Sequence, residues 1–181
     1  MRDLDREILK LFKVEVTKEQ GFNLLVKTYS EKLYWQIRRM VFLHEDADDV
    51  LQNVFIKVWR YLDNFKEDAA LHTWLYRIAY NESISFLRKN NKHLVVEDQE
   101  ASAYLTEQIK ADPYFDGDKL ELKLQEAIAA LPPKQRMVFI LKYYDEMPYN
   151  EMSNVLETSE GALKASYHHA VKKIEAFFKE D

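Results

Sequence analysis

At 181 residues, with 47% hydrophobic and 31% charged side chains, the chain can form one or two domains with real cores and is too apolar to be disordered. It has no cysteine, which excludes disulfides, thiolate metal sites and cysteine nucleophiles and fits a reducing cytoplasm. The net charge of −5 argues against unaided DNA binding, because phosphate contacts rest on lysine and arginine.

That acid is localised. Nine acidic residues stand against three lysines between Glu97 and Glu126, a balance of −6; elsewhere 22 acidic and 23 basic residues leave +1. Only three glycines and four prolines interrupt the chain, so the expected fold is all-α. The longest aliphatic or aromatic run, Met137 to Leu141, is far short of a membrane span, and Met1 to Arg6 is too charged for a secretory signal. A soluble intracellular protein with no direct membrane insertion is expected.

A first helical block runs from about Lys18 to about Asn90. Phe22, Leu25, Tyr29, Leu33, Ile37 and Met40 recur at helical spacing, and the polar His44-Glu45-Asp46 closes that helix. A second helix opens on acids, which suit the positive end of the helix dipole. Its apolar positions are Val50, Val54, Phe55, Val58, Trp59 and Leu62. After the loop Asp63 to Asp68, a third helix runs from about Ala70 to Asn90 and turns basic at Arg88, Lys89 and Lys92. From His93 to about Asp118 the periodicity dissolves, and Pro113 and Gly117 mark an acidic flexible linker.

A second lobe begins near Lys119. Leu120, Leu124, Ile128 and Leu131 form a helix that stops at Pro132-Pro133, and another follows from Lys134 to Tyr144. Pro148 opens a short amphipathic helix, and Glu157-Thr158 turns into a longer one. On that last helix Leu163, Tyr167, Ala170, Val171, Ile174 and Phe177 would bury one face. Gly161, Ala165, His168 and Lys172 line the opposite face. A lean outer stripe lets a helix axis approach base edges, so this hairpin reads as a helix-turn-helix.

Three segments in order then resemble one family. Asp46-Ala47-Asp48-Asp49-Val50-Leu51-Gln52-Asn53-Val54-Phe55, Thr73-Trp74-Leu75-Tyr76-Arg77-Ile78-Ala79-Tyr80-Asn81 and Leu131-Pro132-Pro133-Lys134-Gln135-Arg136 resemble bacterial extracytoplasmic-function sigma factors. The likeness covers roughly residues 20–92 and 120–178. It implies a promoter-specificity subunit of RNA polymerase with three parts: a core-docking and minus-ten lobe (18–92), the acidic linker (93–118) and a minus-thirty-five lobe (119–181). It also implies partners: the β′ clamp helices and β flap of core polymerase, promoter DNA, and commonly an anti-sigma factor.

Residue roles follow from the same resemblance. Asp48, Asp49 and Gln52 would dock on the clamp helices; read alone, they are an acidic helix start facing water. Asn64, Tyr76, Arg77, Tyr80, Asn81, Arg88 and Lys89 would read and melt the minus-ten element, since a flipped base needs amide groups and stacking faces. Trp74 reads as core. Ser159, Lys164, Ala165, Ser166, His168, His169 and Lys172 would meet the minus-thirty-five element. The chain departs from the family there: Ser166 and His169 stand where arginines are frequent, Glu157 where glycine is common, and Ser153 where alanine is usual.

No cofactor or metal is expected. Adjacent His168 and His169 diverge by about 100° on a helix, and no His-Glu-x-x-His or calcium loop occurs. The rival readings are a DNA-binding regulator that works without polymerase and a helical hydrolase or adaptor. Near-neutral lobes disfavour the first, and the second leaves the three ordered motifs unexplained.

Overall fold

The structure is a computed structural model that describes residues 3–67, 69–90, 107 and 119–179. The expected linker (93–118, apart from Glu107) and Lys92 therefore lie outside the described residues. Every regular element among those described is helical.

The first lobe is built on α2 (Lys18–Val41), whose expected stripe is buried from Leu25 through Met40. It packs against α1 (Asp3–Phe12), α3 (His44–Tyr61) and α4 (Leu71–Asn90). The α1 helix was not anticipated. It buries Ile8, Leu9 and Phe12, and the Tyr29 hydroxyl donates to the buried Asp5 carboxylate at 2.5 Å. His44 does not close α2, as the sequence suggested, but opens α3. α2 instead stops at Phe42, which adopts φ 69° and donates its N–H to the Arg38 carbonyl at 2.8 Å.

The second lobe comprises α5 (Lys119–Ala129), α6 (Pro133–Tyr143), α7 (Tyr149–Leu156) and α8 (Glu160–Lys179). Pro133 fits the first turn of α6, where its missing N–H costs nothing. Leu131 is buried beyond the end of α5, whereas Leu120, expected on the buried stripe, is 66% exposed. The expected inner face of α8 holds: Leu163, Ala170 and Ile174 are buried, with Tyr167, Val171 and Phe177 half-buried beside them.

The lobes pack together through α2 against α6 and α4 against α7. One apolar cluster runs from Leu33 and Leu75 in the first lobe to Met147, Met152 and Val155 in the second. Phe42 crosses over and lies among Ile128, Leu131, Phe139 and Ile174. The buried Arg136 guanidinium sits over the Phe42 ring at 4.8 Å and donates across the junction to the Met40 carbonyl at 3.1 Å.

Candidate nucleic-acid and polymerase interfaces

The hairpin presents the outer stripe that the sequence called for. α7 ends in a left-handed Glu157 (φ 50°, ψ 43°) whose N–H bonds the Ser153 carbonyl, and the chain turns directly into α8. Ser159 caps α8: its hydroxyl accepts the Ala162 N–H at 3.4 Å and its carbonyl the Leu163 N–H at 3.0 Å. Gly161, Ala165, His168, His169 and Lys172 are exposed, and a Cβ at Gly161 would meet nothing within 4 Å. Ser166 is half-buried. Lys164 pairs with Glu160 at 3.7 Å and lies 5.5 Å above the Tyr149 ring, so part of its charge is held within the hairpin.

On α4, Arg77, Asn81 and Arg88 recur at helical spacing and share a face, with Lys89 beside them. Asn81, Arg88 and Lys89 are exposed, and Asn64 is exposed on the 3₁₀ turn Leu62–Asn64. Tyr76 departs from the expected open platform: it is only 8% exposed and meets the His72 ring edge-on at 6.2 Å. Tyr80 is half-buried, and that burial pushes its phenol above the ordinary value. Trp74, read as core, is half-buried against Phe65 with centroids 5.4 Å apart.

Asp49 and Gln52 are exposed on α3, while Asp48 lies 3.4 Å from the His44 imidazole. Burial, followed by the neighbouring Asp49 and Glu45 charges, raises the Asp46 carboxyl above its usual range. Beside Gln52 a groove of about 900 Å³ runs between α2 and α3, lined by Phe22, Val26, Phe55, Ile56 and Trp59. Trp59 was expected in the core but is 42% exposed, edge-on to Phe22 at 5.0 Å. Sequence spacing had put Trp59 on the buried stripe and left Ile56 unassigned. An apolar side chain facing solvent carries no periodic signal that separates it from one facing a core.

Arg77 does not stand free. Its guanidinium meets the Glu157 carboxylate at 3.1 Å and donates to the Asn154 carbonyl, both at the hairpin turn. One turn back on α4, His72 meets Glu151 of α7 at 3.1 Å. At the His72–Glu151 contact lies a cavity of about 500 Å³, lined also by Lys32, Trp35 and Arg39 of α2, Tyr76 of α4, and Asp145.

Asp145 makes this junction pH-dependent. Burial pushes its carboxyl up to about 6, against the opposing pull of Arg39 and Lys32, and its Oδ2 has no hydrogen-bond partner. A carboxyl raised above its unfolded value favours the packed form while protonated, and that contribution is lost as pH rises through about 6. That value already nets the pull of the two cations, so Asp145→Asn, which removes the ionisation, should stabilise the chain by about 2–3 kcal/mol at pH 7.5 and by almost nothing at about pH 3. Urea unfolding at the two pH values checks this, and an equal gain at both would assign the effect to something other than ionisation.

A docked pair of helical lobes, one ending in a helix-turn-helix with a bare outer face, defines a DNA-binding protein of modular, two-lobed build. Comparison with known proteins sharpens that class. The family model "Sigma-70 region 2" matches residues 25–93, and "Sigma-70, region 4" matches 121–174. The chain is 31% identical over 167 residues to the ECF RNA polymerase sigma factor SigW of Bacillus subtilis, covering 88% of this chain and 89% of that protein. It is 29% identical over 171 residues to the ECF RNA polymerase sigma-E factor of Escherichia coli, covering 90% and 89%. Among solved structures, CnrH in complex with the cytosolic domain of CnrY has the same fold, with a TM-score of 0.72, 23% identity and 99% of each chain covered. RpoE in complex with the anti-sigma factor NepR, from Bartonella quintana, aligns with a TM-score of 0.68 and 19% identity, over 90% of this chain and 99% of that one. The chain belongs to the extracytoplasmic-function family of RNA polymerase sigma factors, which direct polymerase to specific promoters.

Proposed function

We propose that the first lobe docks core polymerase through Asp48, Asp49, Gln52 and the adjoining Ile56–Trp59 groove, and opens the minus-ten element through Asn64, Arg77, Tyr80, Asn81, Arg88 and Lys89. The second lobe reads the minus-thirty-five element through Lys164, Ala165, His168 and their neighbours Ser166, His169 and Lys172. Ser159 acts there as the helix cap rather than as a reader. The division into lobes at 18–92 and 119–181, joined by an acidic linker, belongs to the same reading, with α1 extending the first lobe to Asp3. The chain works in the cytoplasm without chemistry of its own, and the complexes formed by its structural neighbours point to an anti-sigma partner for it as well.

The observation that carries this reading is the exposed Gly161-Ala165-His168-Lys172 stripe opposite a buried one. With Lys164 half-committed to Glu160, the reading face offers phosphate little free lysine or arginine charge, so affinity is borrowed from polymerase.

Minus-ten and minus-thirty-five elements lie about 25 base pairs apart, roughly 85 Å at about 3.4 Å per pair. Arg77 and the hairpin turn are in contact. The packed lobes therefore have to separate before both elements are read.

Run-off transcription with core enzyme and the chain's own upstream region tests the reading. Asn81→Ala should slow open-complex formation about tenfold with core binding intact, and Lys164→Ala should weaken promoter binding by a similar factor. Tight, specific duplex binding by the chain without core enzyme would favour the regulator reading instead.

A further inference from the structure

Of the four non-glycine residues with positive φ among the described residues, two lie at the junction between the lobes: Phe42, buried in the second lobe, and Glu157 at the hairpin turn. A left-handed position one residue past a helix is where glycine is favoured, and a side chain there is retained only against a local cost. The Glu157 backbone N–H closes α7 on the Ser153 carbonyl, as any residue in a left-handed cap does, but among the described residues its carboxylate makes no ion pair within its own lobe. Its carboxylate instead reaches Arg77 on α4 at 3.1 Å, while Asn154, in the last turn of α7, offers the same guanidinium its carbonyl. Glu151, two turns earlier, meets His72.

We infer that the edge of α7 formed by Glu151, Asn154 and Glu157 is an internal stand-in for promoter phosphate. It occupies the Arg77 face of the first lobe and keeps the lobes closed, with Glu157 as its pin. The inference rests on the proposed promoter-reading role of Arg77. The two terminal nitrogens of a guanidinium that would bind a phosphate are engaged here by a carboxylate and a helix-end carbonyl, which offer the same acceptor chemistry, while its buried Nε has no partner among the described residues. The pin is partly exposed, with Arg77 37% and Glu157 73% accessible at the side chain, so its effect is small, reversible and salt-sensitive. Those are the properties of a clasp that competing DNA can displace.

The absence of native cysteine supplies the test. Met147 lines the cavity between the lobes and is 4% exposed, so a Met147→Cys chain reacts with a thiol reagent through opened molecules. In that background Glu157→Gln, which keeps the backbone strain, and Glu157→Gly, which relieves it, should both raise the labelling rate about three- to fivefold. If labelling instead reported unfolding of the hairpin, Glu157→Gly would slow it, because glycine suits the left-handed turn. Exchanging the charges, Arg77→Glu with Glu157→Arg, should restore slow labelling. Unchanged or slower labelling in the two Glu157 variants overturns the clasp.

Apparent affinity for core polymerase should rise by the same factor as labelling, since a binder of the open form feels the open fraction. Faster labelling without that rise leaves the clasp standing and counts against the polymerase-docking role.

Discussion

An Arg136→Ala protein should unfold with about 3–5 kcal/mol less free energy than the parent and should lose the packing between its lobes. The guanidinium is fully buried, and its four hydrogen bonds all go to backbone carbonyls, with no carboxylate among them. Nε donates to the Ile128 carbonyl at 3.2 Å, and one terminal nitrogen to Ala129 and Leu131 at 2.6 and 3.2 Å. The other reaches the Met40 carbonyl of the first lobe at 3.1 Å.

These acceptors lie at or just past helix ends, where carbonyls have no partner inside the helix and the dipole is negative. Burial does penalise the cation, holding its pKa down at about 10, well above working pH, so it stays charged. Alanine removes the charge together with four donors and leaves a cavity against Phe42. The stranded carbonyls then outweigh the relief of desolvation. Arg136→Lys should recover only part, since one ammonium cannot span two helix ends. A denaturation midpoint that falls at constant slope checks the loss, and a variant within 1 kcal/mol of the parent would make the network ornamental.

The same arginine shows where sequence reading runs out. Leu131 to Arg136 was visible as a motif, and the stripe on α2 and the inner face of α8 were visible as periodicity, because burial of a helix face imposes its own spacing. Periodicity names a face without naming what covers it. Nothing local to Arg136 announces that a carbonyl about a hundred positions earlier in the chain is among its acceptors. Tyr76 was assigned to the minus-ten surface and is 8% exposed in the packed chain, whereas Trp59 was expected in the core and is 42% exposed. The candidate reading residues were legible as residue types on helix faces. Their present engagement, Arg77 with Glu157 and His72 with Glu151, depends on a tertiary contact that no spacing encodes. The family departure at Glu157 was the one sequence-level sign of it.

Charge placement acquires a second meaning from that contact. Lobes near electrical neutrality were read as too weak to hold DNA alone. In the packed protein Glu157 serves as the counterion of Arg77 on the opposite lobe, and Glu151 meets His72. Separating the lobes therefore raises the effective positive charge of the first lobe without altering the total. Affinity and conformation are linked through the same few side chains.

Gly21→Ala is the second large effect expected, and its sign opposes helix propensity. Gly21 lies in the first turn of α2 with an ordinary negative φ, so on propensity alone alanine would gain about 1 kcal/mol. Space reverses this. A Cβ there would stand 2.6 Å from the Phe12 amide nitrogen and 2.9 Å from the Ile8 carbonyl oxygen, both backbone atoms of α1 that cannot rotate away. α1 must then lift from α2. It is short and has only Ile8, Leu9 and Phe12 as apolar anchors, with the Asp5–Tyr29 hydrogen bond to fix its register. A helix of ten residues does not persist once its packing is lost, even though Leu4, Ile8, Leu11 and Phe12 recur at helical spacing. The net loss should be about 2–3 kcal/mol, combining overpacking with partial exposure of those three side chains. Urea unfolding gives the size, and amide exchange along residues 3–12 gives the place, with protection lost there ahead of α2. A Gly21→Ala chain as stable as the parent, with α1 still protected, would mean that α1 does not seat against α2 at this distance.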